Sequence, residues 1–108
     1  MVQQILAQEL AAKLQAGEAV FLLDVRQPWE HETAVLPGSV LIPLHELPAR
    51  AAEVEPPEGA LVVVYCHHGM RSLSGARFLE QRGMPQVASL HGGIDAWSVE
   101  VDPSVPRY

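Results

Sequence analysis

The feature that most constrains the fold is a short β-branched run that ends at the only cysteine of the chain. Residues 62–64 are all valine, Tyr65 and Cys66 follow, and a helical pattern then continues to Gly83. An apolar run of this length next to a glycine-containing turn is typical of a strand buried on both faces. The pattern therefore predicts a strand that carries Cys66 to a tight loop at the N-terminus of a helix.

That position favours a negatively charged sulfur. The first turn of a helix has backbone N–H groups without intrahelical partners, and the helix dipole favours negative charge there. Because Arg71 follows closely in the sequence, the Cys66 thiol is expected to ionise more readily than a free thiol. We therefore predict a stabilised thiolate at the carboxyl edge of the sheet.

Apolar runs and helical patterns alternate along the rest of the chain. Strands are predicted over 19–25, 39–42, 61–65 and 87–90, and helices over 5–16, 28–32, 44–54, from after Arg71 to Gly83, and from Gly92-Gly93 onward. The first helix is predicted to bury one face that carries Leu6, Leu10 and Leu14. This alternation predicts an α/β domain whose parallel sheet is covered by helices on both faces. In such sheets ligands bind at the carboxyl ends of strands, where Asp24 and Cys66 both fall.

Length and composition limit the possible classes of protein. A chain of 108 residues with 48% hydrophobic and 19% charged residues is expected to be one globular domain, residues 1–108, with an extended tail over 98–108. The net charge of −6 argues against nucleic acid as a partner, and no apolar run is long enough to cross a membrane. A lone cysteine and a start without a basic, secretory-type segment predict a cytoplasmic protein.

Several motifs, in this order, resemble a single-domain rhodanese, a thiosulfate-type sulfurtransferase. The matching segments are Leu-Asp-Val-Arg at 23–26 with Glu30, Leu-Pro-Gly-Ser at 36–39, Ile-Pro-Leu at 42–44, the Cys-x-x-Gly-x-Arg-Ser loop at 66–72 and Gly-Gly-Ile-x-Ala-Trp at 92–97. The resemblance implies a three-layer α/β domain with a mostly parallel five-stranded sheet flanked by helices. It also implies that Cys66 cycles between thiol and persulfide.

The chemistry expected of the loop is the transfer of a sulfane sulfur. The Cys66 thiolate attacks the outer sulfur of a donor, and backbone N–H groups then stabilise the persulfide anion. Gly69 allows the backbone to curve around the sulfur. Arg71 either adds a positive charge or docks an anionic donor such as thiosulfate. Ser72 either offers its hydroxyl or caps the helix.

Other residues near the loop have two possible roles each. Asp24 and Arg26 form either a salt bridge at the strand exit or a support for the site. His67 and His68 either line the pocket mouth, partly protonated, or are exposed loop residues. Neighbouring residues in a turn are expected to point apart, so no metal site is predicted, and no cofactor is expected. Met70 is predicted to form a neutral wall of the loop.

The number of residues between the cysteine and the arginine of the loop distinguishes sulfur transfer from phosphatase chemistry. Related phosphatases carry Cys-x5-Arg, whereas Cys66 and Arg71 form Cys-x4-Arg, a tighter ring that suits a sulfur atom. The main hypothesis is a sulfurtransferase that uses thiosulfate and passes sulfur to cyanide or to a thiol or protein acceptor. The alternative is a persulfide carrier or binding module that serves a partner in cofactor or tRNA thiolation. An inert buried thiol and a silent scaffold are the less favoured interpretations.

Overall fold

A parallel β-sheet forms the centre of the structure, a computed structural model that describes residues 2–108. Its five strands are β1 (Gln3–Ile5), β2 (Val20–Asp24), β3 (Val40–Leu41), β4 (Leu61–Tyr65) and β5 (Val87–Leu90). They follow the spatial order β1-β5-β4-β2-β3, and every neighbouring pair is parallel. The predicted α/β fold is confirmed, and the sheet is wholly rather than mostly parallel among these residues.

Helices cover both faces of this sheet. They are α1 (Ala7–Gln15), α2 (Pro28–Thr33), α3 (Leu47–Arg50), α4 (Met70–Gln81) and α5 (Gly93–Glu100), and single 3₁₀ turns flank α3 at Leu44–Glu46 and Ala51–Glu53. Buried side chains of α1 and α5 pack in one apolar cluster with Val63 and Tyr65. Buried side chains of α3 and α4 pack in a second cluster with Val64 and Cys66. Within residues 2–108, no helix is both long and apolar enough to span a bilayer.

Strand β4 lies in the middle of the sheet between β5 and β2. Its three valines have no exposed surface, as expected for a strand that is buried on both faces. The register pairs Asp24 with Tyr65, and these residues are followed by Val25 and Arg26 after β2 and by Cys66 after β4. Asp24 and Cys66 therefore lie at the same carboxyl edge of the sheet, as predicted.

The predicted first helix is wrong at its N-terminal end. Residues 3–5 form the edge strand β1, in which Ile5 pairs with Leu90 of β5, and the helix begins at Ala7. Three residues are too short for a period to be recognised, so only pairing with β5 defines this strand. The inward face of α1 carries Ala7 and Leu10, whereas Leu6 and Leu14 are 51% and 39% exposed.

The C-terminal segment also differs from the predicted tail over 98–108. Helix α5 continues to Glu100, and Ser98 is buried and donates a hydrogen bond from its hydroxyl to the Val105 carbonyl at 2.6 Å. No helix-breaking residue occurs before Pro103, so the helix is not interrupted at Ser98. The irregular segment therefore begins after residue 100, and it folds back so that Val105 is buried in the core.

Two leucines on α1 provide a direct test of this packing. Leu10→Ala should lower the free energy of unfolding by about 2–5 kcal/mol, because it leaves a cavity at a fully buried position. Leu14→Ala is the matched control, because the same substitution is made in the same helix at a position that is 39% exposed. Urea denaturation of both variants measures the difference, and equal losses would contradict the observed orientation of α1.

Candidate active site

The loop after β4 directs backbone N–H groups at the Cys66 sulfur. The amide nitrogens of Gly69 and Ser72 donate to Sγ at 3.1 and 3.3 Å, and the Ser72 hydroxyl oxygen lies 3.5 Å from it. The residue is 1% exposed and contacts apolar neighbours on the α4 side of the sheet. The thiol is therefore buried, but its sulfur faces hydrogen-bond donors that can stabilise a negative charge.

Gly69 shapes this loop, as predicted. It precedes α4 with a φ of 103°, in the left-handed region that favours glycine. A Cβ at this position would approach the Gly92 nitrogen to 3.2 Å and the Leu90 carbonyl oxygen to 3.5 Å. Gly69 thus allows both the turn of the chain around the sulfur and its close approach to the segment before α5.

The N-terminus of α5 binds the carbonyl groups of the loop. The amides of Ile94 and Asp95 donate to the carbonyl oxygens of Cys66 and His67 at 2.9 and 3.1 Å. A Cβ on Gly93 would overlap both of these oxygens, so glycine is required for this close contact. No local sequence pattern indicates this role of Gly93, because the contact joins segments that are far apart in the chain.

Arg71 forms an ion pair with the buried carboxylate of Glu30 and is therefore not an isolated cation near the sulfur. Its two terminal nitrogens donate to the carboxylate oxygens of Glu30 at 2.7 and 2.9 Å. Burial opposes ionisation of Glu30, but the hydrogen bonds from Arg71 and from the Gln27 amide outweigh it and lower the pKa of Glu30 to about 2. The positive charge that Arg71 was expected to add near Cys66 is therefore paired with a carboxylate.

Asp24 and Arg26 form a salt bridge, which is one of the two roles considered for them. The two side chains are fully buried and joined by two hydrogen bonds of 2.8 Å, and His31 Nδ1 lies 2.8 Å from the Asp24 carboxylate. Arg26 also donates to the Ala34 carbonyl at 2.6 Å and to the Tyr108 hydroxyl at 2.9 Å. The salt bridge at the strand exit is thus connected to groups around the Cys66 loop.

Tyr108 links this ion pair to the one formed by Arg71, and the sequence analysis missed it. Its hydroxyl accepts from Arg26 and donates to the Glu30 carboxylate at 2.6 Å. Burial and the hydrogen bond to Glu30 raise the pKa of Tyr108 to about 12, so the hydroxyl stays protonated. An aromatic residue far from the motifs carries no local signal of this role, which depends on the fold of the C-terminal segment.

His67 and His68 stack on each other, so the prediction that they point apart is wrong. Their ring centroids are 3.9 Å apart, and the opposite face of His67 stacks on the Tyr108 ring at 3.9 Å. Burial and the neighbouring His68 lower the pKa of His67, which favours its neutral form. The His68 side chain is 64% exposed, and its Nε2 lies 3.9 Å from the carboxylate of Asp95.

Met70 differs from its predicted position, whereas the Ser72 hydroxyl lies near the helix start, which is the first of its two predicted alternatives. Met70 is 75% exposed and points to solvent, so it is not a wall of the loop. Ser72 is fully buried, and its hydroxyl donates to the Gly69 carbonyl and contacts the Ser89 hydroxyl at 2.7 Å. Its side chain therefore holds the loop backbone and does not cap the amides of α4.

The sequence is similar to a known protein family and to several known proteins. Residues 6–100 match the family model described as a rhodanese-like domain. A sulfurtransferase from Allochromatium vinosum is 37% identical over 98 residues, which cover 91% of this chain and 90% of that protein. A putative sulfur carrier protein from Bacillus subtilis is 33% identical over 90% of this chain and 51% of its own length. Several matched relatives are longer proteins, of which this chain spans about half or less.

The fold is also similar to solved structures. The crystal structure of a rhodanese-related protein from Thermoplasma volcanium superposes with a TM-score of 0.81 at 31% identity, covering 92% of this chain and 93% of that one. This likeness agrees with the sheet order and the helical layers described above.

Two glycines with positive φ test the contact between the loop and α5. Gly83→Ala should cost about 1–2 kcal/mol, since alanine is disfavoured at its φ of 93° but nothing lies within 4 Å of the added Cβ. Gly93→Ala, at a φ of 63°, should cost at least about 1 kcal/mol more, because its Cβ would overlap two loop carbonyl oxygens. Urea denaturation measures both losses, and equal values would contradict the proposed packing.

The Glu30 ion pair predicts a specific acid dependence of stability. Because folding lowers the pKa of Glu30 from 4.5 to about 2, its contribution to stability is complete above the unfolded value and is lost as the pH falls toward 2. Urea denaturation between pH 5 and 2 should therefore show a shallower decline for Glu30→Gln than for the parent chain. Glu58→Gln, in an exposed loop, should keep the parent's slope. Identical slopes for all three proteins would refute the assignment.

Proposed function

Since the chain belongs to the family of rhodanese-like domains, we propose that it transfers a sulfane sulfur through a persulfide on Cys66. The observation that supports this most is the pair of hydrogen bonds from the Gly69 and Ser72 amides to Sγ. A buried thiol without such donors would be inert, because an anion in an apolar environment is strongly disfavoured. Thiosulfate is the donor that we propose, and cyanide or a thiol is the acceptor.

The reaction follows from the properties of the loop. The Cys66 thiolate attacks the outer sulfur of thiosulfate, the bond between the two thiosulfate sulfurs breaks, and sulfite leaves with its electron pair. The product is a Cys66 persulfide anion, which the loop amides stabilise as they stabilise the thiolate. An acceptor nucleophile then attacks the outer sulfur, and the Cys66 thiolate is the leaving group. The cycle needs no external oxidant or reductant, and no cofactor enters it.

Arg71 has a supporting role in this proposal. Because both of its terminal nitrogens are bonded to Glu30, we assign it to positioning the first turn of α4, which includes the Ser72 amide. Its side chain is 37% exposed and so still adds positive potential at the surface, which would attract an anionic donor. The direct bonds to the transferred sulfur are proposed to come from the main chain.

Single-turnover loading tests the proposal. Incubation with thiosulfate should raise the mass of the parent chain by one sulfur atom, and cyanide should restore the original mass with formation of thiocyanate. Cys66→Ser should show neither step, since a serine hydroxyl is a poor nucleophile here. Ser74→Ala, an exposed position on α4, is the control and should load normally. A sulfur adduct on the serine variant, or no loading of the parent, would refute the mechanism.

A second candidate function is that of a persulfide carrier for a partner protein, as in cofactor or tRNA thiolation. Its support is the matched relative described as a putative sulfur carrier, together with two exposed apolar side chains beside the Arg71–Glu30 pair, Trp29 at 59% and Met70 at 75%. Turnover distinguishes the two functions. An enzyme should complete many cycles with cyanide or a small thiol, whereas a carrier should load once and discharge slowly to both.

A further inference from the structure

We propose that His67, His68 and Asp95 form a binding site for a divalent transition-metal ion beside the Cys66 loop. One potential ligand atom from each of the three residues lies within 4.8 Å of the others. Each residue comes from the loop after β4 or from the first turn of α5, two segments whose backbones are hydrogen-bonded to each other. The proposal does not depend on sulfur transfer by Cys66.

The geometry requires movement of exposed side chains. Bonds of 2.0–2.1 Å to a tetrahedral ion place two ligand atoms roughly 3.4 Å apart, so groups that lie within 4.8 Å of one another need to close by up to about 1.4 Å. His68 can make this movement at little cost, because its side chain is 64% exposed and the Asp95 carboxylate is 3.9 Å from its Nε2. Turning the His68 ring out of its stack on His67 would direct a nitrogen toward the shared ion.

His67 supplies the observation that points to a ligand. Its Nε2 is buried and has no hydrogen-bond partner among residues 2–108. Buried polar atoms nearly always have a partner, so an atom without one needs an explanation. Tyr108 stacks on the outer face of the ring and fixes its plane.

Asp95 is held in place for the same site. Its backbone amide donates to the His67 carbonyl at 3.1 Å, and its carboxylate accepts from Arg107 at 2.8 and 3.2 Å. A ligating carboxylate is commonly oriented by such a donor. Because the Arg107 side chain is 63% exposed, this ion pair is a weak surface interaction that an ion can displace or share.

The donor set identifies the class of ion. Two imidazoles and one carboxylate favour Zn²⁺, Ni²⁺, Co²⁺ or Cu²⁺, whereas Mg²⁺ and Ca²⁺ prefer oxygen ligands alone. Three protein ligands leave at least one position for water. The Cys66 sulfur belongs to the apolar cluster on the α4 side of the sheet, so the proposed ion binds without the thiolate.

Binding of Co²⁺ and Zn²⁺ to the full chain without an affinity tag tests the proposal. In a Cys66→Ser background, calorimetry should give one ion per chain, and the Co²⁺ spectrum should lack a sulfur-to-metal charge-transfer band. His68→Ala and Asp95→Asn should each weaken binding by at least about tenfold. His45→Ala and His91→Ala are matched controls, since neither residue belongs to the cluster, and both should bind as the parent does.

Two results would overturn the site. If Cys66→Ser abolished binding, the thiolate would be the true ligand and the three-residue cluster would be incidental. If His68→Ala and Asp95→Asn bound Zn²⁺ as tightly as the parent, ions would be binding elsewhere on the surface. Thermal unfolding of each variant without metal shows whether it is folded. Since His68 and Asp95 are exposed or partly exposed, both variants should retain the parent's unfolding temperature.

Discussion

The hydrogen bonds between the Cys66 loop and the start of α5 are the contact on which the site depends. Two adjacent loop carbonyl groups accept from the Ile94 and Asp95 amides, and only a glycine at position 93 leaves room for them. With its carbonyl groups bound in this way, the loop presents the Gly69 and Ser72 amides to the sulfur. The environment of a buried thiol is thus determined by a helix almost thirty residues further along the chain.

A network of buried and partly buried polar side chains also supports this arrangement. Asp24 holds Arg26, the Tyr108 hydroxyl joins Arg26 to Glu30, and Glu30 holds Arg71 at the start of α4. Breaking one member leaves another charge buried without a partner, which is far more destabilising than the loss of a surface pair. The network therefore connects the end of β2, helix α2, the first turn of α4 and the C-terminal segment into one unit.

Much of the fold followed from local patterns. The fully buried strand β4, the parallel order implied by alternating elements and the position of Cys66 before a helix were all predicted, because periodicity and turn residues act over a few positions. Strand β1 was missed, because three residues carry too little pattern and pairing with β5 defines them. The predicted orientation of α1 was also wrong, because packing on the sheet buries Leu10 and leaves Leu6 and Leu14 at the surface.

By itself the sequence determined the class of fold, the family and the place of the thiol, because these depend on apolar periods and on motifs of adjacent residues. Only the tertiary structure decided the partners of the polar groups. Three pairs illustrate this. Glu30 and Arg71 are 41 positions apart in the sequence, as are His67 and Tyr108, and His68 and Asp95 are 27 positions apart. Charges and rings at such separations meet only after the helices pack on the sheet, so no local pattern encodes their contacts.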